Sequence, residues 1–110
     1  MTHILCKTSD IKDPGSKSFQ LKIRRKTRDI FVVHKDGQVF AYYNQCPHTG
    51  INLEWQEDQF LDLDNALIQC ASHGALFTID SGECIAGPCA GDALQPIPLI
   101  IDDDTVILDI

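Results

Sequence analysis

The sequence lacks several features that mark large functional classes. It has no apolar run of about 18 residues, so we expect no membrane-spanning helix. Residues 1–10 contain no basic segment followed by an apolar one, so we expect no secretory signal and a cytoplasmic location. There is no glycine-rich phosphate loop and no nucleophile beside a base. These absences favour a protein that is not an enzyme by itself.

Positive charge is missing from Asp36 to the C-terminus. All nine lysines and arginines lie between Lys7 and Lys35, although the net charge of the chain is −7. This balance argues against a nucleic-acid partner and favours a basic protein partner, unless the acidity serves only solubility. The basic run at residues 22–28 is either a docking patch or the solvated face of a strand.

Chain length and apolar patterning predict a single all-β domain over residues 1–110, a small antiparallel sandwich or partly open barrel. The pairs Asp36-Gly37 and Asp64-Asn65 predict tight turns between strands. Helix signals are confined to residues 52–59, which allow two turns at most. The predicted strands cover residues 19–25, 30–33, 39–43, 60–63, 66–70, 76–79, 99–101 and 105–108.

Five cysteines in a chain without a secretory signal favour reduced thiols or metal ligands over structural disulfides. Two segments, residues 46–50 and 70–74, each combine a cysteine with a histidine and a nearby glycine. Each begins at the end of a predicted strand, so we expect two loops at one edge of the sheet. Two thiolates and two imidazoles can bind one zinc ion, or they can be divided over the two irons of a [2Fe–2S] cluster.

Residue order favours the iron–sulfur alternative. Zinc fingers usually pair two cysteines and then two histidines around a helix, whereas each segment here holds one of each. Cys46-Pro-His48 and Cys70-Ala-Ser-His73 match the two ligand loops of the Rieske family, which read Cys-x-His and Cys-x-x-His. The chain resembles that family from about residue 31 to about residue 99.

The resemblance implies a Rieske-like fold in which a loop subdomain at about residues 44–90 binds one [2Fe–2S] cluster. In the family a proline-containing loop covers the cluster, and Gly87-Pro88 matches it here. The implied ligands are two cysteines on the inner iron and two histidines on the outer iron near the surface: Cys46, Cys70, His48 and His73.

Four positions differ from the Rieske proteins of respiratory complexes. Those proteins have a disulfide where this chain has Ile51 and Ser72, and side-chain donors to sulfur where it has Ala75 and Phe77. Fewer hydrogen bonds to sulfur make the reduced state less stable, so we expect a reduction potential on the order of −150 mV. In these respects the chain resembles soluble Rieske ferredoxins that supply electrons to oxygenases.

The resemblance implies one-electron transfer between a reductase and a terminal oxygenase or other oxidoreductase. One alternative is a permanent small subunit that resembles the Rieske subunit of assimilatory nitrite reductases. The other is a structural module in which the same four ligands bind zinc.

The remaining cysteines and histidines have simpler interpretations. We expect Cys84 and Cys89 to be buried thiols rather than a redox pair or second metal site, and Cys6 to lie on an N-terminal strand. His3 and His34 are predicted to be surface residues. Core packing is the expected role of three aromatic residues, although they could also shield the cluster: Trp55, Phe60 and Phe77.

Overall fold

The computed structural model of the chain describes residues 2–45, 60–62, 64–70, 74–87 and 91–109. Within these residues the regular structure consists of antiparallel strands and one short 3-10 turn at Thr8–Asp10, which confirms the all-β prediction. In this part of the chain no helix is long and apolar enough to cross a membrane. The strands are β1 (Thr2–Lys7), β2 (Gly15–Ile23), β3 (Lys26–Lys35), β4 (Gln38–Tyr43), β5 (Leu67–Gln69), β6 (Leu76–Thr78), β7 (Cys84–Ala86), β8 (Leu99–Asp102) and β9 (Thr105–Asp109).

The strands of the described residues form three sheets of three strands each. The outer sheet has the order β1-β9-β8, the central sheet β2-β3-β4 and the small sheet β5-β6-β7. Four consecutive side chains of β3 are completely buried: Ile30, Phe31, Val32 and Val33. Because alternate side chains of a strand point to opposite faces, this run requires cover on both faces of the central sheet.

Each face of β3 packs against a different sheet. Ile30 and Val32 join a core that includes Leu108 of the outer sheet. Phe31 and Val33 join a second core with residues of the small sheet. In that second core Phe31 stacks on Phe60, with ring centroids 4.3 Å apart and ring planes 6° apart. The predicted core roles of Phe60 and Phe77 are confirmed, and Trp55 lies outside the described residues.

A buried hydrogen bond also joins the central sheet to the small sheet. The Tyr42 hydroxyl on β4 donates to the carbonyl oxygen of Ile79, which follows β6, over 2.6 Å. Burial, together with the charge of Asp80, raises the pKa of Tyr42 to about 12. The phenol therefore stays protonated, and remains a donor, across the physiological pH range.

The β3–β4 hairpin has the turn that the sequence predicts. Asp36 and Gly37 adopt φ angles of 53° and 76°, as a tight two-residue hairpin turn requires. The Asp13 carboxylate accepts hydrogen bonds from the backbone N–H groups of Gly37 and Asp36, at 2.8 and 2.9 Å. These two bonds lower the pKa of the Asp13 carboxyl, and the bond from Gly37 has the larger effect. They also tie the turn to the segment before β2.

Three local predictions are wrong. Of the strand predicted over residues 60–63, the described residues 60–62 form only an isolated bridge, between Leu61 and Ile68. The strand predicted over residues 19–25 ends at Ile23, because Arg24 and Arg25 take positive φ angles and form the turn into β3. His34, predicted at the surface, has a side chain only 14% exposed, and its Nδ1 lies 2.8 Å from the carbonyl oxygen of Ile11. The predicted helix at residues 52–59 lies outside the described residues.

We expect Tyr42→Phe to lower the free energy of unfolding by about 1–3 kcal/mol, because it leaves the buried Ile79 carbonyl without this donor. Denaturant titration measures the change. Tyr43→Phe is the matched control, since its half-buried ring packs under Arg28 and its hydroxyl makes no hydrogen bond to a described residue. Equal stability losses in the two variants would contradict the role of the Tyr42 bond.

Candidate metal centre

Strand β5 leads directly into the second predicted ligand segment. Cys70 follows the strand by one residue and is completely buried. Its N–H donates to the carbonyl oxygen of Ala75 over 2.8 Å, and the Gly74 N–H donates to the carbonyl oxygen of Cys70 over 3.0 Å. Gly74 has a φ of +67°, a conformation that favours glycine. Cys70 therefore lies directly after β5, where the chain leaves this strand before it continues to the paired strand β6.

The other three predicted ligands, Cys46, His48 and His73, lie outside the described residues. The chain enters the first segment from β4 through Asn44, which is buried and whose N–H donates to the carbonyl oxygen of Asp29 over 2.9 Å. His73 falls in sequence between Cys70 and Gly74. The convergence of the four side chains stays a prediction.

The start of the proline-containing loop lies against the Cys70 loop. Gly87 follows β7 and has a φ of +97°, and a Cβ atom there would lie 2.7 Å from the Cα of Ala75. Only glycine permits this approach. The Gly-Pro pair was the sequence signal for a loop, but its contact with Ala75 depends on tertiary structure that the sequence did not indicate.

The surroundings of Cys70 suit a thiolate-bound metal centre. Its core neighbours include Ile68, Ala75, Phe77 and Cys84, which are all buried. A thiolate in a dry shell is a soft ligand of the kind that iron–sulfur clusters and zinc prefer. Neither Ala75 nor Phe77 has a side-chain donor, so at these two positions no side chain can hydrogen-bond to sulfur.

Cys84 is a buried thiol, as predicted. Its side chain lies in the same core as Cys70, and its Sγ donates to the carbonyl oxygen of Ala86 over 3.2 Å. Cys89 lies outside the described residues. Among the residues that the structure does describe, no three His, Cys, Asp or Glu side chains are grouped to hold a metal ion. Cys6 lies half-buried on β1, also as predicted.

Comparison with known proteins shows one family. The family model described as the Rieske [2Fe-2S] domain matches residues 1–98. A 3-phenylpropionate/cinnamic acid dioxygenase ferredoxin subunit from Photorhabdus laumondii is 26% identical over 106 residues, which cover 96% of this chain and 91% of that protein.

Solved structures share the fold over the whole chain. A ferredoxin from Sphingomonas yanoikuyae B1 matches with a TM-score of 0.76 and 28% identity, over 100% of this chain and 99% of that one. A terminal oxygenase of carbazole 1,9a-dioxygenase from Novosphingobium sp. KA1 matches with a TM-score of 0.80 and 21% identity, over 99% of this chain. The match spans only 29% of that oxygenase chain.

We expect Gly87→Ala to weaken retention of the metal centre and to destabilise the fold by about 1–3 kcal/mol, because it combines backbone strain with a clash against Ala75. Gly91→Ala is the matched control, since Gly91 has a φ of +98° but open space around it. Iron content per chain and thermal unfolding measure both effects. Equal losses in the two variants would show that the contact with Ala75 is unimportant.

We expect Ala75→Ser, alone or with Phe77→Tyr, to raise the midpoint potential of the loaded protein. A hydrogen bond to sulfur that is about 1 kcal/mol stronger in the reduced state raises a one-electron potential by about 40 mV. Spectroelectrochemical titration measures the midpoint potential. The control is Ala66→Ser, because Ala66 is exposed. An unchanged or lowered midpoint would contradict the role assigned to these two positions.

Proposed function

The chain belongs to the Rieske [2Fe-2S] domain family, and we propose that it acts as the ferredoxin component of an oxygenase system. It would take one electron from a reductase and pass it to a terminal oxygenase. The observation that carries this proposal is the family match over residues 1–98, which includes both cysteine–histidine segments.

The proposed ligands follow the order of the family's two loops. Cys46 and Cys70 would hold the inner iron and His48 and His73 would hold the outer iron, within a cluster-binding part at about residues 44–90. A Rieske cluster, when bound, accepts and releases a single electron. The complete burial of Cys70 supports its place on the inner side.

The proposed ligand set favours a carrier over a catalyst. With four protein ligands, such a cluster would have no position open for a substrate. The histidine ligands make reduction easier than in all-cysteine clusters because imidazole is neutral.

The ferredoxins among the relatives match this chain over nearly their whole length, which supports the proposed role. The chain spans 99% of the Sphingomonas ferredoxin and 91% of the Photorhabdus ferredoxin subunit, but 29% of the carbazole oxygenase chain. We also propose a cytoplasmic location, in keeping with the expectation from the sequence that its cysteines are reduced thiols or metal ligands rather than disulfides.

Metal analysis and spectroscopy of the purified protein test the proposal. We expect iron and acid-labile sulfide in equal amounts, a brown colour that fades with dithionite, and a rhombic EPR signal after reduction. Cys70→Ser should lose the cluster, whereas Cys84→Ser, which alters another buried thiol of the same core, should keep it. A colourless protein with one zinc ion per chain would overturn the proposal in favour of a structural zinc module.

A further inference from the structure

The hairpin between β2 and β3 concentrates the positive charge of the chain. Five of the nine basic residues lie within residues 22–28, a stretch without an acidic residue. All are exposed except Arg28, which is half-buried, and none forms an ion pair with a described residue. We call this group the cationic tip: Lys22, Arg24, Arg25, Lys26 and Arg28.

The cationic tip projects beyond β4 at the end where the chain enters the first ligand segment. Strand β4 pairs with β3 only as far as Ile30, opposite Tyr43, and Asn44 adds one more hydrogen bond to Asp29. The four residues of β3 before Ile30 extend past this point by about 13 Å. Cys46 comes two residues after Asn44.

One face of the cationic tip forms a groove of about 460 Å³ lined by Ile23, Arg24, Lys26, Arg28 and Tyr43. The Arg28 guanidinium lies 4.3 Å from the centroid of the Tyr43 ring. This stacking fixes the guanidinium plane and leaves its N–H groups able to bind a carboxylate with two hydrogen bonds. The groove therefore combines the held Arg28 guanidinium and two further cations with the apolar surface of Ile23 and Tyr43.

Turn chemistry does not account for the arginines at the hairpin. Arg24 and Arg25 have φ angles of 49° and 69°, which suit Asn-Gly far better than two arginines. The β3–β4 turn, at the opposite end of β3, has Asp36-Gly37 in the same conformation. The arginines thus carry a conformational cost that the fold itself does not require.

From this geometry, and resting on the proposed function, we propose that the cationic tip docks an acidic face of an electron-transfer partner protein. Carboxylates around the partner's redox centre would enter the groove and bring that centre to the end of the sheet where the ligand segment begins. Within about 8 Å at physiological ionic strength, the five cations of the tip outweigh Asp29, the acidic residue that borders them in sequence. A phosphate backbone is disfavoured, because a long polyanion would also meet the acidic remainder of the chain.

Two small redox reagents of opposite charge test the electrostatic field around the cationic tip. One electron passes from the dithionite-reduced holoprotein to ferricyanide, a trivalent anion, or to hexaammineruthenium(III), a trivalent cation, and no bond breaks. If only the net charge of −7 acted on ferricyanide, the rate of electron transfer to it would rise with ionic strength, because salt screens the repulsion between the protein and the anion. We expect it instead to fall at least about threefold between about 10 and about 200 mM salt.

The decisive variant is Arg24→Asn, Arg25→Gly and Lys26→Gln, which removes three charges and installs a favourable turn, so that it keeps the fold. We expect the ferricyanide rate of this variant to rise with salt. The matched control, Lys7→Gln, Lys12→Gln and Lys35→Gln, removes the same charge from positions outside the cationic tip. The length of β3 separates Lys35 from Lys26 by about 30 Å. The control should keep the wild-type salt dependence.

Binding of fluorescent poly-L-glutamate to the holoprotein is a second measurement. We expect this binding to weaken at least about tenfold in the tip variant only. The proposal is overturned if the tip variant and the control respond alike, or if a DNA oligonucleotide of equal charge binds much more tightly than polyglutamate. The EPR spectrum of each variant is recorded first. A missing cluster signal in the wild type refutes the proposed function, whereas an intact signal with an unchanged salt dependence refutes the docking proposal alone.

Discussion

Burial of β3 on both faces is the constraint on which the rest of the structure depends. Full burial of a large apolar side chain stabilises a protein by about 1.5–3 kcal/mol, and β3 contributes four such side chains in succession. The outer sheet covers one face of this strand and the small sheet covers the other. The small sheet, which leads into Cys70, is thereby attached to the rest of the chain by its own core and by the Tyr42 hydrogen bond.

Local signals were enough to predict most of the strands. The β3–β4 and β8–β9 hairpins have turns of Asp-Gly and of consecutive aspartates, whose residue types favour positive φ. The β2–β3 turn was missed because Arg24 and Arg25 are not turn formers. Strand β7 was missed because it has three residues and an irregular register, so its existence depends on pairing with β6 rather than on pattern.

In the candidate site, too, some features could be predicted from the sequence and others could not. Ligand identity could be predicted because a cluster imposes a fixed order of cysteine and histidine on the sequence. The packing of Gly87 on Ala75 could not be predicted, because it depends on two loops that meet only in the folded chain. Likewise, the sequence contains the cations of residues 22–28, but their projection results from the difference in length between β3, with 10 residues, and β4, with six.

The buried run of β3 also has a consequence for the chain when it is not folded. Ile30, Phe31, Val32 and Val33 combine high strand propensity with no charge, the composition of segments that stack into cross-β aggregates. Charged or ionisable residues border the run on both sides, with Arg28 and Asp29 before it and Lys35 shortly after it. Such flanking charges oppose self-association of newly made or unfolded chains. The segment that organises the native core is therefore also the one whose exposure the cell must limit during synthesis.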